Sequence, residues 1–306
     1  MINKISYKEA QWVDLNNPDQ EEIKSVAEEY GIEDPVVSHE LTSPSIKPRV
    51  ELHKKYIYLI IHFPVFKHTH LKDTNVQEID FLINKNSVIT TRYDTIDALH
   101  KFSKIMEVDS ILNKEGEETG VDFIFFGILK EAYQSLIEEL DYVEDWLDDI
   151  EKKVYTGDEK EMVIALSNVA RVLLDFKKTI DTHQELLEAL EVAGKKLFGD
   201  KFSHYTKIIM SEYLRAQRQI KSHMEQVAEL RETNNSLLST KQNEEMKFLT
   251  VIAMIALPLS IITSLFQVDT IARPLIGTRY DFWILIGILA IVGLSVWSVF
   301  KYKKWI

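Results

Sequence analysis

Two uncharged apolar runs near the C-terminal end constrain this chain more than any other feature. Residues 248–268 form 21 consecutive positions without charge, and residues 282–300, "FWILIGILAIVGLSVWSVF", form 19 more. Each is close to the length at which a helix rising 1.5 Å per residue crosses a hydrocarbon layer ~30 Å thick. Only 13 residues separate the two runs, which predicts a membrane hairpin rather than two buried helices of a soluble domain. Lys241, Lys247, Lys301, Lys303 and Lys304 flank the hairpin on one side, and Arg273 and Arg279 lie in the connection. The positive-inside tendency therefore predicts a multi-pass protein of the cell membrane with both termini cytoplasmic and the connection facing out. Trp283, Trp297, Tyr302 and Trp305 suit interfacial positions.

Composition narrows what the remainder does. The chain has 306 residues and a formal net charge of −12, whereas a nucleic-acid partner calls for a basic patch or stripe. It has no cysteine, so disulfides, thiolate metal sites and cysteine nucleophiles are excluded. The opening "MINKISYKEAQWVDL" lacks the apolar core of a cleaved secretory signal, and the first 240 residues read as cytosolic. No P-loop, Gly-rich dinucleotide turn, "HExxH" or nucleophile elbow occurs, so no enzyme is expected.

Along the chain the pattern divides into blocks. Residues 1–120 read as a cytoplasmic α/β domain. "AQWVDL" and "RVELHKKYIYLIIHFPVF" have strand composition, and "IDFLINKNSVITTRY" reads as two strands around an Asn84-Lys85-Asn86 turn. In "NPDQEEIKSVAEEYG", Pro18 lies near a helix start and Gly31 just past its end. "DTIDALHKFSKIME" is a second amphipathic helix, and "NKEGEETG" an exposed connection. Residues 121–200 read as long acidic helices packed antiparallel. Leu129, Tyr133, Leu136, Leu140, Val143, Leu147, Ile150 and Val154 alternate spacings of four and three, and the rhythm resumes from Met162 through His183 to Leu190. A sustained 3.5-residue period predicts a coiled coil. No Gly or Pro occurs in the 58 residues from Asp200 to Leu257. A single helix over 201–268, including the first membrane span, is therefore expected. A connection at 269–281, a second span at 282–300 and a basic tail at 301–306 follow.

This order resembles the CorA-type divalent-cation transporters. "LLSTKQNEEMKFLTVIAMIALPLSIITSLF" is similar to the first membrane helix of that family, and "KYKKWI" to its basic-aromatic tail. "WVDL" at 12–15 and "IKPRVELHKKYIYLII" at 46–61 resemble weaker N-terminal signatures. The resemblance implies an α+β cytoplasmic domain, long coiled-coil helices and a C-terminal two-helix hairpin. It further implies a funnel-shaped homopentamer whose first membrane helices line a central path for metal ions through the bilayer. Carried over by position, the pore-lining residues are Asn243, Met246, Leu249, Leu257 and Ser260. Regulatory Mg²⁺ at cytoplasmic subunit interfaces is implied as well, with no further cofactor and no assignable metal ligands.

One departure stands out. The Gly-Met-Asn triplet that marks the outer end of this helix in the family aligns, without gaps from Met246, with Gln267, Val268 and Asp269. A ring of Asn carbonyls is neutral and can hold a hydrated cation, which suits a Mg²⁺ ion that dehydrates reluctantly. An Asp ring attracts cations more strongly and releases them more slowly, because conduction needs sites weak enough to leave. Arg273 and Arg279 place positive charge at the mouth, opposing a dication unless Asp269 and Asp281 pair with them. The expected function is passive, potential-driven flux of divalent cations of the Mg²⁺ class. A pore of different ion selectivity and a non-conducting membrane scaffold are the alternatives.

Three further signals have competing readings. Residues 138–151, "EELDYVEDWLDDIE", hold eight carboxylates and no basic residue. They suit either water-mediated Mg²⁺ between subunits or, more simply, a solvated coiled-coil face. His68 and His70 could offer imidazoles to a metal but read better as loop surface. His183, in the heptad seam, reads as a satisfied core histidine.

Overall fold

The computed structural model describes residues 2–7, 10–32, 37, 41–42, 47–65, 76–94, 96–112, 120–268 and 279–303, without the side chains of 109–112 and 281. The chain divides into two compact units, Met1–Arg231 and Glu232–Ile306. His68 and His70 lie outside the described residues.

The first unit is built on a six-stranded sheet of β1 (Ile2–Tyr7), β2 (Ala10–Asn16), β3 (Arg49–Leu52), β4 (Tyr56–Pro64), β5 (Val76–Asn84) and β6 (Ser87–Arg92). Its order is β1-β2-β6-β5-β4-β3. β2 pairs with β6 in parallel, and the other pairings are antiparallel. The expected turn between β5 and β6 closes on Asn84, whose Oδ1 accepts from the backbone of Asn86 at 2.8 Å and Ser87 at 2.7 Å. That side-chain mimicry of a backbone turn is why Asn favours the position. β1 lay unseen in the sequence. It is an edge strand with Lys4 in its middle, and such charge is how edges avoid pairing with other chains.

Alternation along the strands gives the sheet two faces. On one, Val13, Leu15, Tyr58, Ile60, Leu82 and Ile89 pack with Ile23 and Val26 of α1 (Gln20–Tyr30). Asp19 starts that helix with a capping box: its carboxylate accepts from Glu22 N at 2.8 Å, and the Glu22 side chain receives Asp19 N at 3.2 Å. Gly31 ends it in the left-handed region at φ 68°. The other face meets α2 (Asp97–Leu112) and α3 (Val121–Thr156), with Trp12 against Phe102 and Phe81 edge-on to Phe125. Gly127 lets those two helices approach, since a Cβ there would lie 2.3 Å from the Phe102 ring.

The heptad positions of α3 are buried as expected, from Leu129 to Val154. The second heptad run is two helices rather than one: α4 (Glu159–Ile180) and α5 (His183–Phe198). At the break the Thr182 hydroxyl bonds Thr179 O at 3.2 Å, and Thr and Asp side chains that bond local backbone compete with helix propagation. Burial keeps its period across the break, through Phe176, Ile180, His183, Leu187 and Leu190.

His183 joins three elements. Its Nε2–H donates to the backbone carbonyl of His62 in β4 at 2.7 Å, which leaves Nδ1 to accept from Tyr133 Oη of α3 at 2.8 Å. Phe63 meets both rings edge-on. Burial holds the imidazole neutral, pushing its pKa down to about 4. The core reading of this residue stands.

Helix α6 (Lys201–Gln267) begins by inserting Phe202 into an aromatic cluster. Its ring stacks on Phe198 at 5.3 Å and contacts Phe126 at 4.9 Å. Gly194 supplies the hole, because a Cβ there would sit 2.0 Å from the Phe202 ring.

Candidate pore helix

Helix α6 runs 67 residues without interruption, about 100 Å at 1.5 Å per residue. The expected single helix is present, and Pro258 lies inside it. Proline removes one backbone donor and frees the carbonyl four residues earlier, here that of Met254. Within the bilayer, hydroxyls must find partners on their own helix. Thr250 bonds Met246 O at 2.7 Å, Thr263 bonds Leu259 O at 3.0 Å, and on α7 (Asp281–Tyr302) Ser295 bonds Ile291 O at 2.7 Å.

The second unit shows which sides of these helices are covered. On α6 the less exposed positions are Val251, Ile255, Pro258, Leu259, Ile262, Thr263 and Phe266. On α7 they are Leu285, Ile288, Leu289, Val292, Gly293, Val296 and Phe300. Steps of three and four on both helices are the stripes that a hairpin of two helices buries. Both helices are long and apolar enough to cross a membrane.

The residues assigned to a pore fall on the opposite side of α6. At 100° per residue from Met246, Asn243 lies at about +60°, Leu249 at −60°, Leu257 at +20° and Ser260 at −40°. Gln267 and Val268 continue the stripe at about −60° and +40° by the same spacing. Met246 is 64 % exposed, Leu249 63 % and Leu257 61 %, while Val251, at about +140°, is buried. The structure thus brings the five residues and the first two of the altered triplet onto one uncovered face.

At the entry to the bilayer-length run, residues 239–250 are exposed on every side. This segment contains Met246, Phe248 and Leu249. A helix that exposes large apolar groups with no covering partner in its own chain marks an interaction surface.

At the end of the bilayer-length run, Val268 N closes on Leu265 O at 3.3 Å, ending the helix. Asp269 and Arg273 lie outside the described residues; Arg279 is exposed just before α7. At the other end of α7, Lys301 lies 4.9 Å over the Trp297 ring, an arrangement that holds both at an interface.

The acidic stretch of α3 behaves as a solvated face. Glu138 pairs with Lys101 at 2.6 Å, Asp149 with Lys153 at 2.7 Å, and Asp141 accepts from Gln219 at 2.8 Å. Among the described residues no group of three or more His, Asp and Glu is placed to hold a metal ion. Sequence reasoning missed a cluster in the sheet, buried Asp80 with half-buried Glu78 and His62. The signal was available as two carboxylates inside the otherwise apolar "VQEIDFLI".

Comparison with known proteins gives one answer throughout. The family model for CorA-like Mg²⁺ transporter proteins matches residues 7–303. The cobalt/magnesium transport protein CorA of Thermotoga maritima is 22 % identical over 299 residues, covering 96 % of this chain and 83 % of that protein. The protein of the same name from Methanocaldococcus jannaschii is 22 % identical over 308 residues, covering 100 % of this chain and 95 % of that one. The complete structure of the M. jannaschii CorA magnesium transporter superposes with a TM-score of 0.84 at 21 % identity, over 99 % of this chain and 94 % of the other.

Proposed function

The chain belongs to the CorA-like Mg²⁺ transporter family, and on that premise we propose that it forms a homopentameric membrane pore passing divalent cations of the Mg²⁺ class. The observation that carries the reading is the uncovered stripe of α6. A face holding Met246, Leu249 and Leu257, opposite the side buried within the hairpin, needs an occupant. Four further copies of the same helix around an axis supply one. Cyclic assembly around such an axis is a closed symmetry. In it Asn243 and Ser260 are polar rungs, and Met246, Leu249 and Leu257 are apolar constrictions of the kind that gate by dewetting.

Movement is passive. With both termini cytoplasmic, an inside-negative potential of 100 mV drives each dication inward by about 4.6 kcal/mol. Gating follows from tilting of the long helices as cytoplasmic Mg²⁺ binds between subunits. Replacing Leu257→Gly widens a constriction, and basal Mg²⁺ leak should rise severalfold; unchanged flux would count against the pore assignment.

One observation favours a second reading. Gln267 and Val268 stand where the family has Gly and Met, with Asp269 in place of Asn. A carboxylate ring with Arg279 nearby gives a mouth whose ion preference differs from that of a neutral amide ring. The test is Mg²⁺ and Co²⁺ entry into proteoliposomes under an imposed inside-negative potential, read by a lumenal dye. The native chain runs beside a variant carrying Gln267→Gly, Val268→Met and Asp269→Asn. Flux through the native chain supports divalent transport with an altered filter. Flux in the variant alone assigns the change to the filter and points to another ion. Silence in both leaves a membrane scaffold that conducts neither ion.

A further inference from the structure

Strand β5 carries Glu78 and Asp80, and carboxylates two residues apart on a strand project from the same face. That face is the one covered by α1, and Asp80 is wholly buried there. Its Oδ2 accepts from Tyr58 Oη at 3.2 Å and Tyr93 Oη at 3.4 Å. Among the described residues Oδ1 receives no donor. Thr91 stands opposite Asp80 in the β5–β6 register, yet its buried hydroxyl makes no hydrogen bond either, so it does not supply the missing donor. Glu78 stands two residues from Asp80 on that face, and its carboxyl opposes ionisation of Asp80. Its Oε2 also receives His62 Nε2 at 2.8 Å.

A second negative charge is untenable in this setting. A buried carboxylate beside another carboxylate, with one oxygen lacking a donor, meets both desolvation and like-charge repulsion. The other charged groups around it are committed. On β3, Arg49 pairs with Glu51 at 2.6 Å and rests over the Tyr58 ring at 5.8 Å. On β6, Arg92 grips Asp14 at 3.0 Å, and Asp14 lies on the opposite face. α1 contributes Ile23 and Val26, and the segment after it Val37 and Leu41. None of these neutralises Asp80. A proton on Oδ1 does, and it converts the orphan oxygen into a donor.

We propose that Glu78 and Asp80 hold one proton between them inside the sheet, with the His62 imidazole fixing the ionised partner, so that the fold carries a built-in proton site. The acid is Asp80, the acceptor is Glu78, and His62 Nε2–H is the second donor to Glu78. Burial, then the Glu78 charge, push the Asp80 carboxyl well above the ordinary range, while the hydroxyls of Tyr58 and Tyr93 pull the other way. Because the folded chain keeps a proton that the unfolded chain releases, its stabilisation is complete below the usual carboxylate range. It is lost as pH rises through the folded value. His62 also presents the carbonyl that holds His183, so the proton site adjoins the joint between the sheet and α5.

Infrared spectroscopy of the full-length protein in detergent, in heavy water at neutral pH, tests this directly. The native protein should show the carbonyl stretch of a protonated carboxylic acid, which Asp80→Asn should abolish and Glu78→Gln should shift. Absence of the band from the native protein overturns the proposal, as does a band that neither substitution changes. The native spectrum is read on the unaltered chain, so the proposal can fail even where Asp80→Asn does not fold. Unfolding titrations provide a second readout. Relative to Asp80→Asn, the native folding equilibrium should weaken by up to tenfold per pH unit across the window in which the proton is lost. A difference that is constant with pH overturns the assignment.

Discussion

Unit one and the uncovered stretch of α6 solve opposite problems with similar residues. In the first unit the groups that join its elements have their cover within the chain: Phe202 enters the space left by Gly194, Trp12 faces Phe102, and His183 satisfies both ring nitrogens. At 239–250 the helix is equally regular, yet Met246, Phe248 and Leu249 face outward. Helical order comes from backbone hydrogen bonds and tolerates either situation. Burial does not, because it needs a partner surface. Met1–Arg231 thus closes its joints within a single chain, and on the proposed function Glu232–Ile306 is written for lipid and for further copies.

The comparison can be broken most severely at Phe202. Phe202→Ala empties a closed aromatic site, and a cost of about 3–5 kcal/mol is expected by denaturant unfolding of the full chain in detergent. A loss below about 1 kcal/mol would mean that this end of α6 is not anchored as described. Acid comes next. His183 is neutral when folded, with a pKa near 4 against an ordinary 6.5, so the unfolded chain binds the proton first. Its stabilisation is complete above pH 6.5 and is lost as pH falls to 4, by about 3 kcal/mol; His183→Gln should flatten that part of the pH profile. Asp19→Ala removes a capping box and should cost about 1 kcal/mol, a local loss seen first as faster amide exchange at the start of α1. The smallest effect sharpens the contrast most. Leu249→Ala should change the stability of the detergent-solubilised monomer by less than about 0.5 kcal/mol, while altering Mg²⁺ leak in the assembled state. A large loss in the monomer would show that Leu249 has an intrachain partner.

The same contrast explains what could be read from sequence. Both membrane helices and the long helices before them were legible because a period of 3.5 or an unbroken apolar run is a local signal. The ends of α1 were legible because Pro18 near its start and Gly31 past its end each act at a single turn; the Asp19 capping box was not read from the sequence. The break at Asp181-Thr182 was not, since the heptad spacing of buried residues continues through it. β1 was missed because Lys4 interrupts the apolar signature of a short edge strand. The proton site was missed for a different reason. Whether Glu78 and Asp80 meet depends on which face of the sheet α1 covers and on Tyr58, Tyr93 and His62 arriving from two neighbouring strands. For the proposed pore, the family resemblance picked out Asn243, Met246, Leu249, Leu257 and Ser260, and their spacing fits one side of a helix. It could not say that this side would be the uncovered one, because that is decided by the packing of the hairpin.

The His183 joint has a consequence for how the chain is made. Its partners are 50 residues away at Tyr133 and 121 residues away at His62. On a ribosome adding about 5–20 residues per second, the His62 carbonyl waits roughly 6–24 s before its imidazole is synthesised. Within that interval β5, β6 and α3 are all synthesised, and α5, which carries the imidazole, comes after them. The first membrane-spanning run follows only after residue 183 has been added. The order of synthesis thus allows the sheet to be closed before the hydrophobic hairpin emerges, and a chain whose elongation were reordered, as by circular permutation, would lose that protection.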